Sequence, residues 1–551
     1  MHHEILFGPC PSVARVRITL LLVSGCLCWM PVRAELVIHE ARQGDRPLVT
    51  LENEFFRVVV EPGVGGRIAG LLDKRNGLDG VTPGQGYLLD MFLHQPYPGE
   101  LQKAPYEFDL RDERPARAGV TLRRRAGEER VRDVVVEKTI WLGTGNPVIT
   151  VEYRFRNESK QYRSFSFWTQ HFTRGGSGPE GDIYYRPGLQ GLSAVPYPGG
   201  KPHRDVVEEP VAGWTAVLDP EEEAGTLFLF DYNWLRWIYN ACEAATAEWI
   251  TDTVLIAPGE AWETEVSIAP LAGHKGLAQA FDHLEGILGQ SLPLPPPSLV
   301  GETDPVRLER PPKARTYPER PADFQCVHDG KLDLLVLAGP GFNRFRLDRI
   351  READPGASVT WGYFSSRVII DAVSYGVDFF PADYGELATF DAVILAGLGP
   401  YVLEGFQQNM LRDYLAVGGR ILLLGGGTAM NGWNDADSPL RELLPVKDPG
   451  PFTIRAIEPA ASLESSDSAW RDLLASPPAP VVQYAHDLVP SPTSEVLLHA
   501  GGQPMLVRRE VERGAFLVFL PTAMGKDRPD AFWNWVHWPA LLHRLLADPL
   551  D

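Results

Sequence analysis

The spacing of apolar residues changes once along this chain, across a proline-rich stretch, Leu292–Pro321, and that change limits what the chain can fold into. Before it the apolar residues alternate. Ile149, Val151, Tyr153 and Phe155 interleave with Thr150, Glu152, Arg154 and Arg156, so one face of a strand is apolar and the other polar. The preceding run, Val134–Trp141, ends at Gly143-Thr144-Gly145-Asn146-Pro147, which predicts a turn between antiparallel neighbours. Phe55–Val60, Thr226–Phe230, Ala247–Ile250 and Trp262–Ile268 extend the series, with no long amphipathic helix among them. The expectation for residues 35–290 is a large antiparallel β-sandwich of the supersandwich kind.

After the prolines come short, mostly apolar runs, of which Leu334–Leu337 is continuous. Leu334–Leu337, Val359–Phe364, Ala392–Leu395, Ile421–Leu424 and Phe516–Leu520 read as strands covered on both faces. Helical stretches such as Leu403–Leu415, stopped at Gly418-Gly419, lie between them. That alternation predicts a flavodoxin-like parallel α/β domain over residues 326–551. Residues 291–325 suit an extended, semi-rigid linker. A multidomain chain, β followed by α/β, also fits the length of 551 residues, which is too long for one ordinary core.

The start of the chain reads as a signal peptide, residues 1–34. Arg15 and Arg17 precede the largely apolar Ile18–Met30, and Val32-Arg33-Ala34 supplies a cleavage signal before Glu35. A second reading ends earlier, at Val23-Ser24-Gly25-Cys26, where Cys26 would carry a lipid anchor. Both lead to a periplasmic or secreted protein. No second long apolar run follows, so no transmembrane span is expected. A net charge of −20 argues against nucleic acid and anionic membrane surfaces as partners. Cleavage leaves Cys242 and Cys326, too few for a disulfide framework or a zinc site. Two buried free thiols are expected, with a single bridge as the alternative.

Phe165–Phe172, Phe-Ser-Phe-Trp-Thr-Gln-His-Phe, is the stretch richest in chemistry. As a strand it places Phe165, Phe167, Thr169 and His171 on one face, and Ser166, Trp168, Gln170 and Phe172 on the other. An aromatic platform beside an amide and an imidazole is the mixture a sugar site needs. Trp237 and Trp249 are further candidates for the platform, and ordinary core is their competing role.

Three pieces of the first domain resemble the galactose-mutarotase-like superfamily, which includes aldose epimerases. They are Glu61-Pro62-Gly63-Val64-Gly65-Gly66-Arg67-Ile68, Thr169-Gln170-His171-Phe172, and Glu248 ahead of Ala257-Pro258-Gly259-Glu260. The resemblance implies acid–base chemistry at a sugar's anomeric centre. Glu248 would take the hydroxyl proton, His171 would protonate the ring oxygen, and Arg67 would line the site. Two departures stand out: Gln170 occupies the family's asparagine position, and Thr173-Arg174-Gly175-Gly176 replaces its usual continuation.

The second domain resembles the class I glutamine-amidotransferase-like fold, through Tyr414–Gly427 and Ser438–Pro445. Active members need a cysteine nucleophile at a strand-to-helix turn, whereas here Gly425-Gly426-Gly427-Thr428 follows Leu424 and Cys326 precedes the first strand. The resemblance therefore implies a non-catalytic support domain, through which a homo-oligomer could assemble. No metal-ligand spacing occurs, and neither a metal nor another cofactor is expected. Two functions follow. One is a carbohydrate-processing or carbohydrate-binding protein with a sugar cleft in the sandwich. The other is a non-catalytic glycan-binding or scaffold protein.

Overall fold

The computed structural model describes residues 36–288, 308–369 and 372–547, apart from positions 202, 436 and 448. The expected signal peptide with its Cys26 alternative, and residues 291–307 of the expected linker, lie outside the described residues.

Residues 37–270 form antiparallel sheets. Val37–Gln43, Arg46–Glu52, Phe56–Glu61, Arg67–Asp73 and Leu78–Asp79 make a meander. A nine-stranded sheet runs from Gly191–Pro196 at one edge to Glu107–Glu113 at the other. Beside its central strand, Ala261–Pro270, is Ile149–Asn157, where Ile149, Val151, Tyr153 and Phe155 are buried and Glu152 and Arg154 exposed, as the alternation predicts. That strand pairs antiparallel with Val134–Gly143, across the predicted turn. A third sheet, ordered Arg204–Val207, Leu235–Ala241, Thr246–Thr251, Phe167–Phe172 and Leu89–Phe92, completes the β-sandwich.

One apolar core joins the sheets. Phe155 of the nine-stranded sheet meets Phe167 of the third at 4.9 Å between ring centroids. Within the sandwich lies a fully buried ion pair, Lys138 Nζ to Asp90 Oδ2 at 2.7 Å. Burial, the largest influence on both, raises the Asp90 carboxyl and lowers the Lys138 ammonium. Tyr153 OH at 3.0 Å and Thr169 Oγ1 at 2.8 Å also donate to Asp90, while Lys138 donates to the Gly65 and Leu88 carbonyls. These bonds and the mutual charge of the pair oppose that shift.

The C-terminal sheet contains five parallel strands, ordered Ser358–Ile369, Asp333–Ala338, Ala392–Leu398, Arg420–Thr428 and Gly514–Phe519. All five carry the predicted, mostly apolar runs, although Ser358–Ile369 leaves Tyr363 exposed instead of covered. The fully layered flavodoxin-like domain expected from sequence is not what surrounds them. Among the described residues of this region, Gly405–Ala416 and Trp538–Ala547 are the helices of ten residues or more. The other connections are single turns such as Ile350–Ala353 and Tyr384–Leu387, or antiparallel strands added at both edges. The Gly425–Thr428 stretch is also different from the expected turn, because it continues the strand Arg420–Thr428. Its glycines serve a close approach: a Cβ on Gly426 would sit 2.7 Å from the Cα of Gly397 on the neighbouring strand.

The described end of the linker, from residue 308, is packed rather than free. Arg310 pairs with Asp435 and Asp437, Arg315 pairs with Asp252 at 2.8 Å, and Lys313 Nζ donates to the Leu235 carbonyl at 2.6 Å. Burial, with Arg315 close by, pulls the Lys313 ammonium down to about 8. This segment therefore straps the third sheet of the sandwich to the loops that follow the parallel strands.

Candidate functional site

The site forms where the strands Phe167–Phe172 and Thr246–Thr251 pair. The register sets Gln170 opposite Glu248 and Trp168 opposite Ile250. Cross-strand partners share a face, so Trp168, Gln170, Glu248 and Ile250 point the same way. The next strand adds Trp237 opposite Ile250 and Tyr239 opposite Glu248. Met91, Trp168, Trp237 and Ile250 form one apolar patch on this face.

Glu248 is the polar centre. The Trp168 indole N–H donates to its Oε2 at 2.7 Å, and the Gln170 amide donates to the same oxygen at 2.9 Å. Gln102 in turn donates to Gln170 Oε1 at 2.9 Å, so a line of amide donors ends on the carboxyl. Glu248 is 1% exposed. Burial raises its pKa to about 7, against the hydrogen bonds from Thr246, Gln170 and Trp168 that favour the anion. The arrangement can hold and release one proton near neutral pH.

Tyr97 lies over this face. Its ring is 6.3 Å from that of Trp168 and 60% exposed, and the Glu248 charge contributes to a raised phenol pKa, after burial. Tyr97 and Gln102 were not among the sequence candidates. Tyr97 carries a weak signal, an aromatic between two prolines in Gln95-Pro96-Tyr97-Pro98-Gly99, and Gln102 carries none.

The structure does not bring His171 to Glu248. His171 points to the opposite face, into the core, where it is fully buried. Its ring lies 4.6 Å from Trp249, 4.4 Å from Phe228 and 5.4 Å from Tyr87. Neither ring nitrogen has a hydrogen-bond partner. Burial, and then the Lys138 charge, hold its pKa well below the ordinary imidazole value. A neutral histidine behind the sheet cannot serve as the acid that the epimerase resemblance assigns to it.

Trp249 shares that inner face, between His171 and Phe230, with the Phe230 ring stacked at 4.3 Å. Core is its role here, not a sugar platform. Arg67 belongs to the meander, where its guanidinium donates to Glu61 Oε2 at 2.8 and 3.0 Å. Of the residues singled out from sequence, the structure gathers Trp168, Gln170, Trp237 and Glu248 on one face, and turns His171 and Trp249 to the other.

Cys242 and Cys326 are both free, and burial pushes each thiol up to about 11. Among the described residues no three His, Cys, Asp or Glu side chains gather as a metal site, and no helix is long and apolar enough to cross a membrane.

No protein-family model matches the chain, and no curated protein does. Among solved structures it is similar to a TPR-domain containing protein from Parabacteroides distasonis, at 12% identity and a TM-score of 0.35. That match covers 48% of this chain and 57% of the other, so the chain spans little more than half of that protein. A galactose mutarotase-like protein from Clostridium acetobutylicum matches at 10% identity and a TM-score of 0.35, over 43% of this chain and 99% of that one. A galactose mutarotase related enzyme from Lactobacillus acidophilus matches at 12% identity and 0.30, over 42% and 100%. Likeness at this level assigns no family, and the functional argument rests on the geometry.

Proposed function

We propose that the protein binds a carbohydrate on the Trp168–Gln170–Glu248 face of the third sheet, as a glycan-binding protein. The carrying observation is the buried Glu248 carboxyl, met by the Trp168 indole and the Gln170 amide and poised near pH 7, beneath the exposed ring of Tyr97. A pyranose offers apolar C–H faces to an aromatic ring and hydroxyls to planar amide and carboxyl groups. In this reading the sugar meets Tyr97 first, and movement of that ring opens the way to Trp168 and the carboxyl.

The test is saturation-transfer NMR of the full chain against neutral monosaccharides. Tyr97→Ala is expected to lose the transfer signal. A signal unchanged by Tyr97→Ala would contradict the reading.

One observation favours a second reading, in which the bound sugar is also processed. A carboxyl with a pKa of about 7 has the proton affinity of a general acid or base at neutral pH. Only this single group would act, since His171 lies behind the sheet. Acceleration of anomeric exchange by the wild type, lost in Glu248→Gln, would support it, and equal rates would remove it.

The same proposal places the chain outside the cytoplasm, exported through residues 1–34. It gives the parallel sheet an amidotransferase-like but non-catalytic role. Cell fractionation with N-terminal sequencing of the recovered protein tests the first part.

A further inference from the structure

The third sheet of the sandwich ends against the loops that follow the parallel strands, and the space between them is open. Two adjoining cavities lie there, of about 360 and 200 Å³, with Arg236, Tyr375 and Glu404 common to both. The smaller is walled by Trp237 from the sandwich, by Tyr375 from the C-terminal sheet and by Tyr401 from the turn after its strand Ala392–Leu398. Tyr375 and Tyr401 meet edge to face at 5.6 Å, and Tyr375 is 42% exposed. Trp237 belongs to the same apolar patch as Trp168, so the cleft continues the face that holds Glu248.

The charges around the cleft select a ligand class. Arg236 pairs with Glu404 at 3.3 Å, Arg310 with Asp435 at 3.1 Å, and Arg315 with Asp252 at 2.8 Å. The cations lining the smaller cavity each face a carboxylate, Lys313 facing Asp437 at 3.9 Å, which leaves no anion site there. What remains for a ligand is aromatic surface edged by groups that exchange neutral hydrogen bonds. A neutral polyhydroxyl compound fits such a wall. The loops are those after the strand Ala392–Leu398 and after Arg420–Thr428, at the carboxyl ends of parallel strands, where open α/β sheets take their ligands.

We propose that this cleft is a second saccharide subsite and that the ligand is therefore a neutral oligosaccharide, laid from Tyr97 and Trp168 across Trp237 to Tyr375 and Tyr401. The C-terminal sheet then contributes to binding instead of only supporting the sandwich. This inference rests on the carbohydrate reading of the Trp168 face. Two linked subsites favour longer ligands, because the second contact forms within a complex already made.

The experiment is calorimetric titration of the full chain with neutral gluco-, xylo- and manno-oligosaccharides of one to five units. Wild type, Tyr375→Ala, Tyr375→Phe and Tyr97→Ala are compared. Wild-type affinity is expected to rise with length. Tyr375→Ala should weaken the longer ligands by about tenfold or more while leaving single sugars unchanged, and Tyr375→Phe should keep most of the affinity. Affinity independent of length, or equal in Tyr375→Ala, overturns the second subsite while leaving the first. Loss of long-ligand affinity in Tyr375→Ala alone, with Tyr97→Ala unaffected, overturns the first subsite and the continuous path built on it. Absence of binding by any of these saccharides overturns both.

Discussion

Gln170 and Glu248 stand directly opposite each other on neighbouring antiparallel strands, and the Gln170 amide donates to the Glu248 carboxyl at 2.9 Å. A carboxyl so placed, 1% exposed, is costly to ionise, and its pKa of about 7 expresses that cost. The folded protein holds this proton more tightly than the unfolded chain, whose glutamate titrates near 4.5. The protonated carboxyl's contribution to stability is therefore complete below about 4.5 and is lost as pH rises through 7. Glu248→Gln mimics the protonated form and escapes the loss. Its stability relative to wild type should grow between those pH values, by roughly 3 kcal/mol at most. Denaturant unfolding of both proteins at pH 4.5 and pH 8 measures it.

Trp168→Phe removes one of the two donors to Glu248 Oε2 and keeps a ring in place. The anion loses a partner, so the carboxyl pKa should move further up from about 7. Carbon-13 NMR titration of the glutamate carboxyls gives the direction. A downward move would contradict the assigned donor.

Lys138→Met should be among the most destabilising single changes in the sandwich. It leaves Asp90 buried without its cation, which typically costs about 3–5 kcal/mol. The double variant Lys138→Met with Asp90→Asn should recover part of that loss, as urea denaturation would report.

His171→Phe should be tolerated. Neither imidazole nitrogen has a partner, and the pocket is made of Trp249, Phe228 and Tyr87 rings. Replacing an unsatisfied buried polar group by an apolar ring of similar shape is near neutral or stabilising. A fall in melting temperature of more than about 8 °C would show that the imidazole makes a bond it lacks here.

How much of this could be read from the sequence depends on the range of the interactions involved. The alternation in Ile149–Asn157 and the apolar runs of Asp333–Ala338 and Ala392–Leu398 are local, and both are found as strands of the expected kind. The two faces of Phe167–Phe172 are also local: Trp168 and Gln170 do oppose Thr169 and His171. The face that Glu248 shares is a different matter. It follows from the pairing of two strands 78 residues apart, and a shift of one residue would have put Glu248 with His171. Family resemblance supplied that pairing as an acid and base, and the register places them back to back. The linker is a similar case. Its prolines suggest a spacer, whereas Arg310 finds Asp435 and Asp437 more than a hundred residues on. Helix content after residue 326 was overestimated for a further reason. Short connections can close parallel strands in single turns, and the extra antiparallel strands such as Gln503–Val511 carry apolar residues that give no sign of which edge they will join.

The most direct measurement compares two variants, one behind the strand pair and one in the loop over its other face, for saccharide affinity. Calorimetry of the full chain with its best-bound neutral saccharide should show His171→Phe binding like wild type and Tyr97→Ala binding at least about tenfold more weakly. The reverse pattern, affinity lost with His171→Phe and kept with Tyr97→Ala, would contradict the placement of the site on the Trp168–Gln170–Glu248 face.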